Sequence, residues 1–322
     1  MSFRLAPTIH LLCPIYNGRS FLPAFLESLQ AQTHTEWVLW VRDDCSSDDS
    51  GDIVREFSQR DSRICLLPSD GERRGAAHSF RWLWHRVPEE ASYIMFADQD
   101  DVWLPEKISR TLASMESAER ERDGPILVHT DLVVVDAELR EIAPSFWRFA
   151  GIEVNSTSLS HVVVRNIVTG NTVMINRAMR ERTGAISPDA AMHDWWVACV
   201  AAAFGRIVSL PYASALYRQH GANTIGARQS AANAPWHALP AESLGALART
   251  GRVRDDIAIA ARQAMALASV YGAELPKRDR IFLNEYARMP RHRFLRRKWD
   301  VLRMQLLPEN GLLRNVGLLL RA

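Results

Sequence analysis

The chain has 322 residues and nearly balanced charge, with 39 lysines and arginines against 37 aspartates and glutamates. This length is sufficient for one large or two modest domains with a substantial buried core. A composition of 47% hydrophobic and 24% charged residues excludes a disordered or collagen-like chain. A net charge of +2 is too small for a general nucleic-acid binder, so we expect a folded protein without a nucleic-acid partner.

The four cysteines are widely spaced and form no CxxC pair. This spacing argues against a zinc site or a disulfide framework and favours a reducing cytoplasm. The longest apolar run, Trp195 to Phe204, has ten residues, about half of the roughly 20 that a membrane-spanning helix needs. The apolar stretch from Ile9 to Ile15 is interrupted by Pro14, so it predicts a buried strand rather than the core of a cleaved targeting peptide.

Short apolar runs alternate with helical patterns from Thr8 to Asp101, which is typical of a parallel sheet covered by helices. The predicted strands and helices are Ile9 to Cys13, Phe21 to Gln30, Trp37 to Arg42, Asp52 to Gln59 and Tyr93 to Ala97. A loop over 14–18 follows the first strand, and an acidic, serine-rich turn over 43–50 follows the second and can cap the next helix. Ligands gather at the carboxyl ends of strands in such sheets, so we expect the acidic turns to share one crevice.

The next part of the chain continues the alternation of strands and helices. The pattern predicts strands over 126–129 and 132–135, a strand pair within 162–175 broken at residues 169–171, and a buried helix over 195–204. We expect the α/β domain to occupy residues 1–225.

The composition changes after the α/β domain. Residues 226–240 are rich in Ala, Ser, Gln and Pro, and Ala-rich helical sequence continues to about Tyr271. We therefore assign residues 226–322 to an α-helical C-terminal region. Seven lysines and arginines lie between Arg288 and Arg303, among aromatic and aliphatic residues. Such a basic amphipathic segment can bind an anionic membrane surface or pack on the main domain with its charges in water.

Three carboxylates occur within residues 98–101, directly behind an apolar strand. Carboxylates in this position suit Mg²⁺ or Mn²⁺, with phosphate oxygens completing the coordination shell. A solvated acidic turn is the alternative interpretation of this segment.

Four motifs occur in a fixed order: CPIYNG at 13–18, QT at 32–33, VRDDCSSD at 41–48 and DQDD at 98–101. In this order and spacing they resemble family 2 glycosyltransferases over about residues 8–225. The resemblance implies an α/β fold of the GT-A type, with a Rossmann-like, mostly parallel sheet flanked by helices and a C-terminal helical extension. The longer segments at 96–107, 168–172 and 217–223 are most similar to bacterial rhamnosyltransferases of surface-polysaccharide assembly.

The resemblance implies that Pro14, Tyr16 and Asp44 receive the pyrimidine base of a nucleotide-sugar, and that Arg74 helps to hold the nucleotide. The chemistry agrees, because an Asp can accept the imide N–H of uracil or thymine and an Arg can pair with phosphate. Cys45 stands where the family commonly has glycine. As an alternative, Asp44 could simply cap a helix.

By the same resemblance, Asp98 lies near the ribose, Asp100 ligates a metal ion that bridges the diphosphate, and Asp101 lies nearby. His220 is the candidate further metal ligand, and Arg218 can contact phosphate. An imidazole ligand suits Mn²⁺ better than Mg²⁺. A late, isolated histidine could equally be a surface residue.

Asp194 matches the catalytic base of the family, which takes the proton from the acceptor hydroxyl. His193 replaces the commoner Glu before it. Asp194 could instead only cap the helix that follows. Trp195 and Trp196 could stack on a sugar, although core positions are more usual, and the turn at Gly170 either lines the donor-sugar pocket or forms a plain hairpin.

These features together predict an inverting glycosyltransferase that depends on Mn²⁺ or Mg²⁺. The preferred donor is dTDP-L-rhamnose, with a UDP-hexose as the alternative. The acceptor is a glycan or a lipid-linked saccharide in cell-surface polysaccharide or lipopolysaccharide biosynthesis. The predicted location is the cytoplasm or the inner membrane face. A non-catalytic nucleotide-sugar-binding module is the alternative from a different class. A nucleotidyltransferase would carry a Gly-rich phosphate loop after the first strand, which residues 14–18 do not form.

Overall fold

A computed structural model describes residues 6–68, 70–220 and 250–292. Its first part alternates strands and helices: β1 (Ile9–Ile15), α1 (Leu22–Gln30), β2 (Trp37–Asp43), α2 (Ser50–Arg60), β3 (Ile64–Leu66), α3 (Ala76–Trp84) and β4 (Tyr93–Phe96). The apolar pattern predicted β1, α1, β2, α2 and β4, whereas β3 and α3 were not predicted. The alternation brings the turns after β1, β2 and β4 to the same edge of the sheet.

The second part contains more antiparallel pairing. Its elements are β5 (Val102–Trp103), α4 (Lys107–Glu121), β6 (Ile126–Val135), β7 (Glu141–Ala143), α5 (Phe146–Ala150), α6 (Leu159–Val164), β8 (Val173–Asn176), α7 (Arg177–Thr183), α8 (His193–Phe204), β9 (Arg206–Arg218), α9 (Thr250–Tyr271) and α10 (Lys277–Arg288). Short 3-10 turns occupy Gly170–Thr172 and Met289–Arg291.

The described strands form one sheet in the order β3-β2-β1-β4-β8-β6-β9-β5, with β7 beside β6. Strands β1 to β4 are mutually parallel, β8 runs antiparallel to both β4 and β6, and β9 is parallel to β6. The sheet is therefore parallel over its first four strands and mixed beyond them, which refines the mostly parallel arrangement expected from the sequence.

The sheet separates two apolar layers. In β1, Leu11 and Cys13 pack with helices α1, α2 and α4, whereas Leu12 points to the other face and packs with α3, α6, α8 and α9. This alternation follows from the two-residue period of a strand. Because both faces are covered, β1 is apolar almost throughout, and this explains why it could be recognised from the sequence.

Two predictions for the middle of the chain are wrong in detail. The strands expected at 126–129 and 132–135 are one continuous strand, β6. The strand pair expected within 162–175 is instead helix α6, a 3-10 turn and the single strand β8. Ser158 caps α6 by accepting a hydrogen bond from the His161 N–H, and Val162 and Val163 are buried, so capping and packing override the preference of valine for strands.

One loop prediction changes and a second is confirmed. β1 continues through Pro14 to Ile15, where the sequence predicted a loop. Proline is accommodated there because the pairing of β1 with β4 ends at Leu12, so no hydrogen bond to β4 is lost. The acidic turn after β2 caps the start of α2 through Asp48, whose Oδ1 accepts a hydrogen bond from the Ser50 N–H at 3.0 Å, and not through Asp49.

The helices α9 and α10 pack on the α/β layer. Ala264 and Leu267 lie in the same apolar cluster as Trp196 of α8, and the Tyr271 hydroxyl donates to the Thr183 carbonyl at 2.8 Å. The predicted domain boundary at residue 225 and most of the basic segment from Arg288 to Arg303 lie outside the described residues. Among the residues that are described, no helix is both long and apolar enough to cross a membrane.

We predict that Leu267→Ala lowers the free energy of unfolding of the whole protein by about 2–4 kcal/mol, because it opens a cavity in a core shared by α8 and α9. Chemical denaturation followed by circular dichroism measures this. The matched control is Met265→Ala, which removes a side chain that is 55% exposed on the same helix and should change the free energy by less than about 0.5 kcal/mol. Equal effects of the two substitutions would contradict a shared core.

Candidate active site

Side chains of the turn after β2 fasten the loop after β1. The Asn17 N–H donates to Ser46 Oγ at 3.0 Å, and the Gly18 N–H donates to Ser50 Oγ at 2.8 Å. In return, the Ser47 N–H donates to Asn17 Oδ1 at 2.8 Å. The serine-rich composition of this turn therefore serves to join two loops into one wall of the crevice.

Gln99 connects this wall to the acidic turn after β4. Its amide accepts a hydrogen bond from the Tyr16 N–H and donates one to the Tyr16 carbonyl, both at 2.9 Å. A Cβ on Gly18 would lie only 2.3 Å from the Gln99 side chain, so a larger residue there would displace the Gln99 amide from Tyr16. Gln99 was not among the site residues predicted from the sequence, which in this turn were carboxylates. The guanidinium of Arg73 lies 4.0 Å from the centre of the Tyr16 ring.

Asp44 lies buried at the end of β2 and holds the start of α3. Its Oδ1 accepts hydrogen bonds from the Arg74 N–H at 2.8 Å, Ser79 Oγ at 3.0 Å and Arg42 at 3.3 Å, and its Oδ2 accepts one from the Gly75 N–H at 2.7 Å. Burial raises the pKa of Asp44, but these hydrogen bonds and the Arg42 charge outweigh burial and lower it overall. The carboxylate is therefore ionised, and Oδ2 can accept a second hydrogen bond.

Arg74 lies directly beside Asp44 through its backbone. Its half-buried guanidinium forms ion pairs with Asp70 at 2.9 Å and Glu72 at 2.6 Å. The structure thus brings Arg74 to the predicted nucleotide end of the crevice, with its charge directed toward the loop before α3.

Cys45 adopts a left-handed backbone conformation with φ of 63°. This is the region that glycine enters without strain and in which a Cβ is unfavourable. The glycine that the resemblance leads one to expect at this position would therefore fit the observed backbone better than cysteine.

The Gln32-Thr33 motif lies outside the crevice. Gln32 Nε2 donates to the Leu104 carbonyl at 2.9 Å, and the Thr33 N–H donates to the Pro105 carbonyl at 2.9 Å. These bonds hold the chain that leads from the acidic turn into α4, so the motif has a structural role next to the site.

Asp101 is fully buried and joins three parts of the crevice. It accepts a hydrogen bond from the Arg218 N–H at 2.9 Å and another from the side-chain amide of Asn171. Burial, together with the charges of Asp100 and Asp98, raises the pKa of Asp101 well above its usual range. Its hydrogen bonds make Asp101 a positioning residue that fixes the end of β9 and the 3-10 turn.

Asp100 lies beside His220, with Oδ2 and Nε2 2.9 Å apart and both side chains largely buried. The His220 ring stacks on Phe21 with ring centres 4.4 Å apart. A carboxylate oxygen and an imidazole nitrogen this close form a donor set that suits Mn²⁺. The described residues contain no group of three or more possible metal ligands, so other ligands would be donor phosphates or water.

Arg218 clamps the acidic turn to β9. Its Nε donates to the Asp100 carbonyl at 2.8 Å, and its Nη1 donates to the Ala137 carbonyl at 2.6 Å. Arg218 thus reaches the edge of the predicted diphosphate site, where part of its hydrogen-bonding capacity holds the backbone.

Asp98 and Lys107 form the charged base of the crevice. Burial and the nearby charges of Asp100 and Asp194 raise the pKa of Asp98 to about 7. Lys107 is completely buried and donates to Ser214 Oγ at 2.8 Å. Burial lowers the pKa of Lys107 to about 7, although Asp101 and Asp98 act in the opposite sense. The sequence analysis missed this cation, because a lysine near a helix start is normally solvated.

Asp194 lies in the first turn of α8 and is 7% exposed. Its Oδ1 accepts from the Trp195 N–H at 2.8 Å, and its Oδ2 accepts from Asn166 Nδ2 at 3.1 Å. Burial raises the pKa of Asp194 to about 6 despite these hydrogen bonds. A Cβ on Gly170 would lie 3.7 Å from the Asp194 Cβ and 3.1 Å from His193 Nε2, so the turn at Gly170 directly borders Asp194.

The aromatic residues around Asp194 belong to the core. Trp196 is fully buried, and Trp195 donates its indole N–H to the Val162 carbonyl at 2.6 Å. His193 is buried against Phe80, with ring centres 3.6 Å apart. Burial lowers the pKa of His193 to about 3, so this imidazole is neutral. The core alternative is therefore correct for Trp196.

The structure connects the predicted site residues through direct contacts. Tyr16 bonds to Gln99 in the acidic turn, Asp100 lies beside His220, and Asp101 bonds to Arg218. Pro14 precedes Ile15, whose carbonyl accepts from the Asp44 N–H at 2.8 Å. The nucleotide and metal candidates thus lie around the carboxyl ends of β1, β2 and β4. The base candidate Asp194 is close enough for its charge to raise the pKa of Asp98 in the turn after β4.

Comparison with known proteins agrees with this architecture. Residues 11–155, slightly less than half of the chain, match the model of glycosyl transferase family 2. The structure of TarS 1-349 from S. aureus in complex with UDP-GlcNAc aligns over 96% of this chain and 95% of that chain, with a TM-score of 0.55 and 14% identity. The fold is of the GT-A type. The mannosyltransferase PcManGT from Pyrobaculum calidifontis, in complex with GDP-Man and Mn²⁺, aligns over 95% of this chain and 74% of that chain, with a TM-score of 0.55 and 15% identity.

Curated relatives match the N-terminal part of the chain. The putative teichuronic acid biosynthesis glycosyltransferase TuaG of Bacillus subtilis is 30% identical over 34% of this chain and 42% of its own length. The dTDP-rhamnosyl transferase RfbG of Shigella flexneri is 34% identical over 30% of this chain and 34% of its own length. The β-1,3-glucosyltransferase WfgD of Escherichia coli is 33% identical over 33% of this chain and 40% of its own length, and its name includes UDP-Glc. The chain spans less than half the length of these relatives.

We predict that Cys45→Gly stabilises the protein by about 0.5–1 kcal/mol, because it removes the Cβ from a left-handed backbone position. Urea denaturation measures the change. Cys65→Gly is the matched control, since Cys65 lies within β3, where glycine should destabilise by about 0.5–1 kcal/mol. A destabilised Cys45→Gly protein would contradict strain at residue 45.

Proposed function

We propose that this protein is an inverting, metal-dependent glycosyltransferase that transfers a sugar from a pyrimidine nucleotide donor to a saccharide acceptor. The observation that supports this most directly is the position of Asp194. Its carboxyl is desolvated, lies in the first turn of a rigid apolar helix and borders the same crevice as the acidic turn after β4. A base needs this combination of raised pKa and fixed geometry to remove a proton near neutral pH.

In the proposed mechanism, Asp194 accepts the proton of the acceptor hydroxyl as its oxygen attacks the anomeric carbon. The hydrogen bonds from Asn166 and the Trp195 N–H hold the carboxylate in place for this step. Attack from the face opposite the nucleotide inverts the anomeric configuration. The buried surroundings exclude water and so favour transfer to the acceptor over hydrolysis.

At the other end of the proposed site, Asp44 Oδ2 accepts the imide N–H of the base, with Tyr16 and Pro14 beside it and Arg74 near the nucleotide. Asp98 lies toward the ribose, Gly170 borders the donor sugar, and Arg218 lies near the diphosphate. Asp100 and His220 are the proposed ligands of Mn²⁺ or Mg²⁺. When bound, such an ion would offset the negative charge that develops on the departing diphosphate.

We propose dTDP-L-rhamnose as the donor, because three motifs resemble rhamnosyltransferases and RfbG is among the relatives. A UDP-hexose is the second candidate, supported by the similarity to WfgD. Uracil and thymine present the same imide N–H, so Asp44 suits both. The name of TuaG supports a role in cell-surface polysaccharide biosynthesis. A cytoplasmic location, with attachment of the basic C-terminal segment to the inner membrane face, remains a prediction.

Release of nucleoside diphosphate from a panel of dTDP-, UDP- and GDP-sugars, with Mn²⁺ or Mg²⁺ present, tests the donor. Selective turnover of dTDP-L-rhamnose would support the rhamnose proposal, and turnover of another donor would replace it. A protein that binds a nucleotide-sugar without turnover, even with acceptor saccharides present, would be a binding module instead.

Substituting Asp194→Asn should lower kcat by about 10²–10⁴-fold while donor binding changes little, since only proton removal is lost. In the unsubstituted protein, kcat should rise with pH through about 6 and level off above it, because the base acts in its ionised form. Initial rates between pH 4.5 and 8.5 measure both effects.

The control for this substitution is Asp123→Asn, which removes the same charge from an exposed loop before β6. It should retain the rate and pH profile of the unsubstituted protein. An Asp194→Asn protein with normal turnover would exclude Asp194 as the base.

We expect His220→Ala to raise the Mn²⁺ concentration needed for half-maximal activity by at least about tenfold, because a nitrogen ligand is lost. The dependence on Mg²⁺ should change less, since Mg²⁺ prefers oxygen ligands. Metal titrations of donor turnover measure both. His34→Ala is the control, because His34 lies before β2 at the opposite edge of the sheet. Identical Mn²⁺ dependence of the three proteins would remove His220 from the metal site.

A further inference from the structure

A second cavity, of about 340 Å³, lies beside the proposed nucleotide end of the crevice and is strongly basic. One wall is the solvent-facing side of α3 with the residues around it, and the other is the segment that leads from α7 toward α8. The lining residues are Arg74, His78, Arg81, Trp82, His85, Arg86, Ala185, Ile186 and Pro188. None of the described residues that line this cavity, which we call the α3 cavity, carries a carboxylate.

The walls of the α3 cavity are fixed by packing. The Trp84 indole donates to the Gly184 carbonyl at 2.7 Å, which ties the far wall to α3. Ile186 is buried in the core, and the Ala191 N–H donates to Gln263 at 2.8 Å. A volume of this size lies within the range of small-ligand sites, about 300–1,000 Å³.

The arginines that line the α3 cavity differ in their ion pairing. Arg74 is paired with Asp70 and Glu72, but within the described part of the chain neither Arg81 nor Arg86 forms an ion pair. The Arg86 guanidinium lies 3.2 Å from the centre of the Trp82 ring and donates to the Trp82 carbonyl at 3.0 Å. Trp82 therefore holds one guanidinium in place, which reduces the entropy lost when a ligand binds.

The charges around Arg86 are mixed. Burial lowers the pKa of Arg86, Asp70 raises it, and the charges of Arg42 and Arg74 lower it. An anion in the α3 cavity would offset the repulsion from Arg42 and Arg74. Guanidinium groups pair bidentately with phosphate, and several of them favour a group of more than one negative charge over a single carboxylate.

The position of the α3 cavity suggests which substrate the anion belongs to. On one side, α3 begins at the backbone that holds Asp44, the proposed base-binding residue. On the other side, the wall at Pro188 continues within six residues to Asp194, the proposed catalytic base. The two walls of the α3 cavity are thus continuous in the chain with the proposed nucleotide site and with the residue proposed to activate the acceptor.

We propose that the α3 cavity binds a phosphate or diphosphate group of the acceptor, at a site separate from the donor nucleotide. The assignment to the acceptor rests on the proposed glycosyltransferase function, whereas the binding of the anion does not. A saccharide acceptor that carries a phosphate or diphosphate, such as a lipid-linked one, has the required chemistry.

Calorimetric titration of metal-free protein with inorganic pyrophosphate, and separately with geranyl diphosphate, tests this proposal at low ionic strength. We expect both probes to bind, and dTDP or UDP not to displace them. The double variant Arg81→Gln/Arg86→Gln should bind both at least tenfold more weakly, and Arg81→Gln alone at least threefold. Arg81→Gln breaks no hydrogen bond or ion pair between described residues, so weaker binding by this single variant would not be explained by a folding defect.

The control is Arg120→Gln, which removes an exposed charge from α4 and should leave pyrophosphate affinity within twofold. Absence of binding, binding insensitive to the α3 cavity variants, or one-for-one displacement by a nucleotide would each overturn the proposal. Donor turnover without acceptor should be unchanged in the double variant. If the unsubstituted protein turns over no donor but binds pyrophosphate at Arg81 and Arg86, the proposed function fails while the anion site stands.

Discussion

The crevice depends on one buried carboxylate, Asp101. This residue accepts hydrogen bonds from the end of β9 and from Asn171, two segments that are 47 residues apart in the chain. Together with the hydrogen bond from Arg218 to the Asp100 carbonyl and the contact between His220 and Asp100, these bonds set the positions of Arg218 and His220 relative to the turn after β4. A buried carboxylate is unfavourable unless its oxygens are hydrogen-bonded, so the folded state strongly favours this single arrangement.

The same concentration of acidic groups requires Lys107. Its completely buried ammonium is the cation that acts on both Asp98 and Asp101 from within the fold, and its hydrogen bond to Ser214 anchors it to β9. The crevice therefore combines desolvated carboxyls on its surface with a desolvated cation behind them. Such opposed environments separate the proton affinities of neighbouring groups, which is a common property of catalytic sites.

Much of the fold and most of the candidate positions could be predicted from the sequence, because they depend on local pattern. The strand before residues 98–101 is apolar on both faces and is followed at once by acidic residues. The sequence therefore indicated both that this segment is a strand and where the strand ends. Helix α6 was not indicated, because the valines at 162–164 favour strands, and the Ser158 cap and burial in the apolar core together make this segment helical. The pairing of Gln99 with Tyr16 also depends on residues 83 positions apart, and no local signal reports it.

The fastening of the Asn17 loop to the turn at Ser46 and Ser50 has a consequence for the thermodynamics of ligand recognition. These contacts join side chains to backbone within the protein itself, so the wall of the crevice is ordered during folding and not by a ligand. Preorganised walls reduce the conformational entropy that binding must remove. The nucleotide end of the crevice should therefore keep nearly the same backbone in its free and bound states.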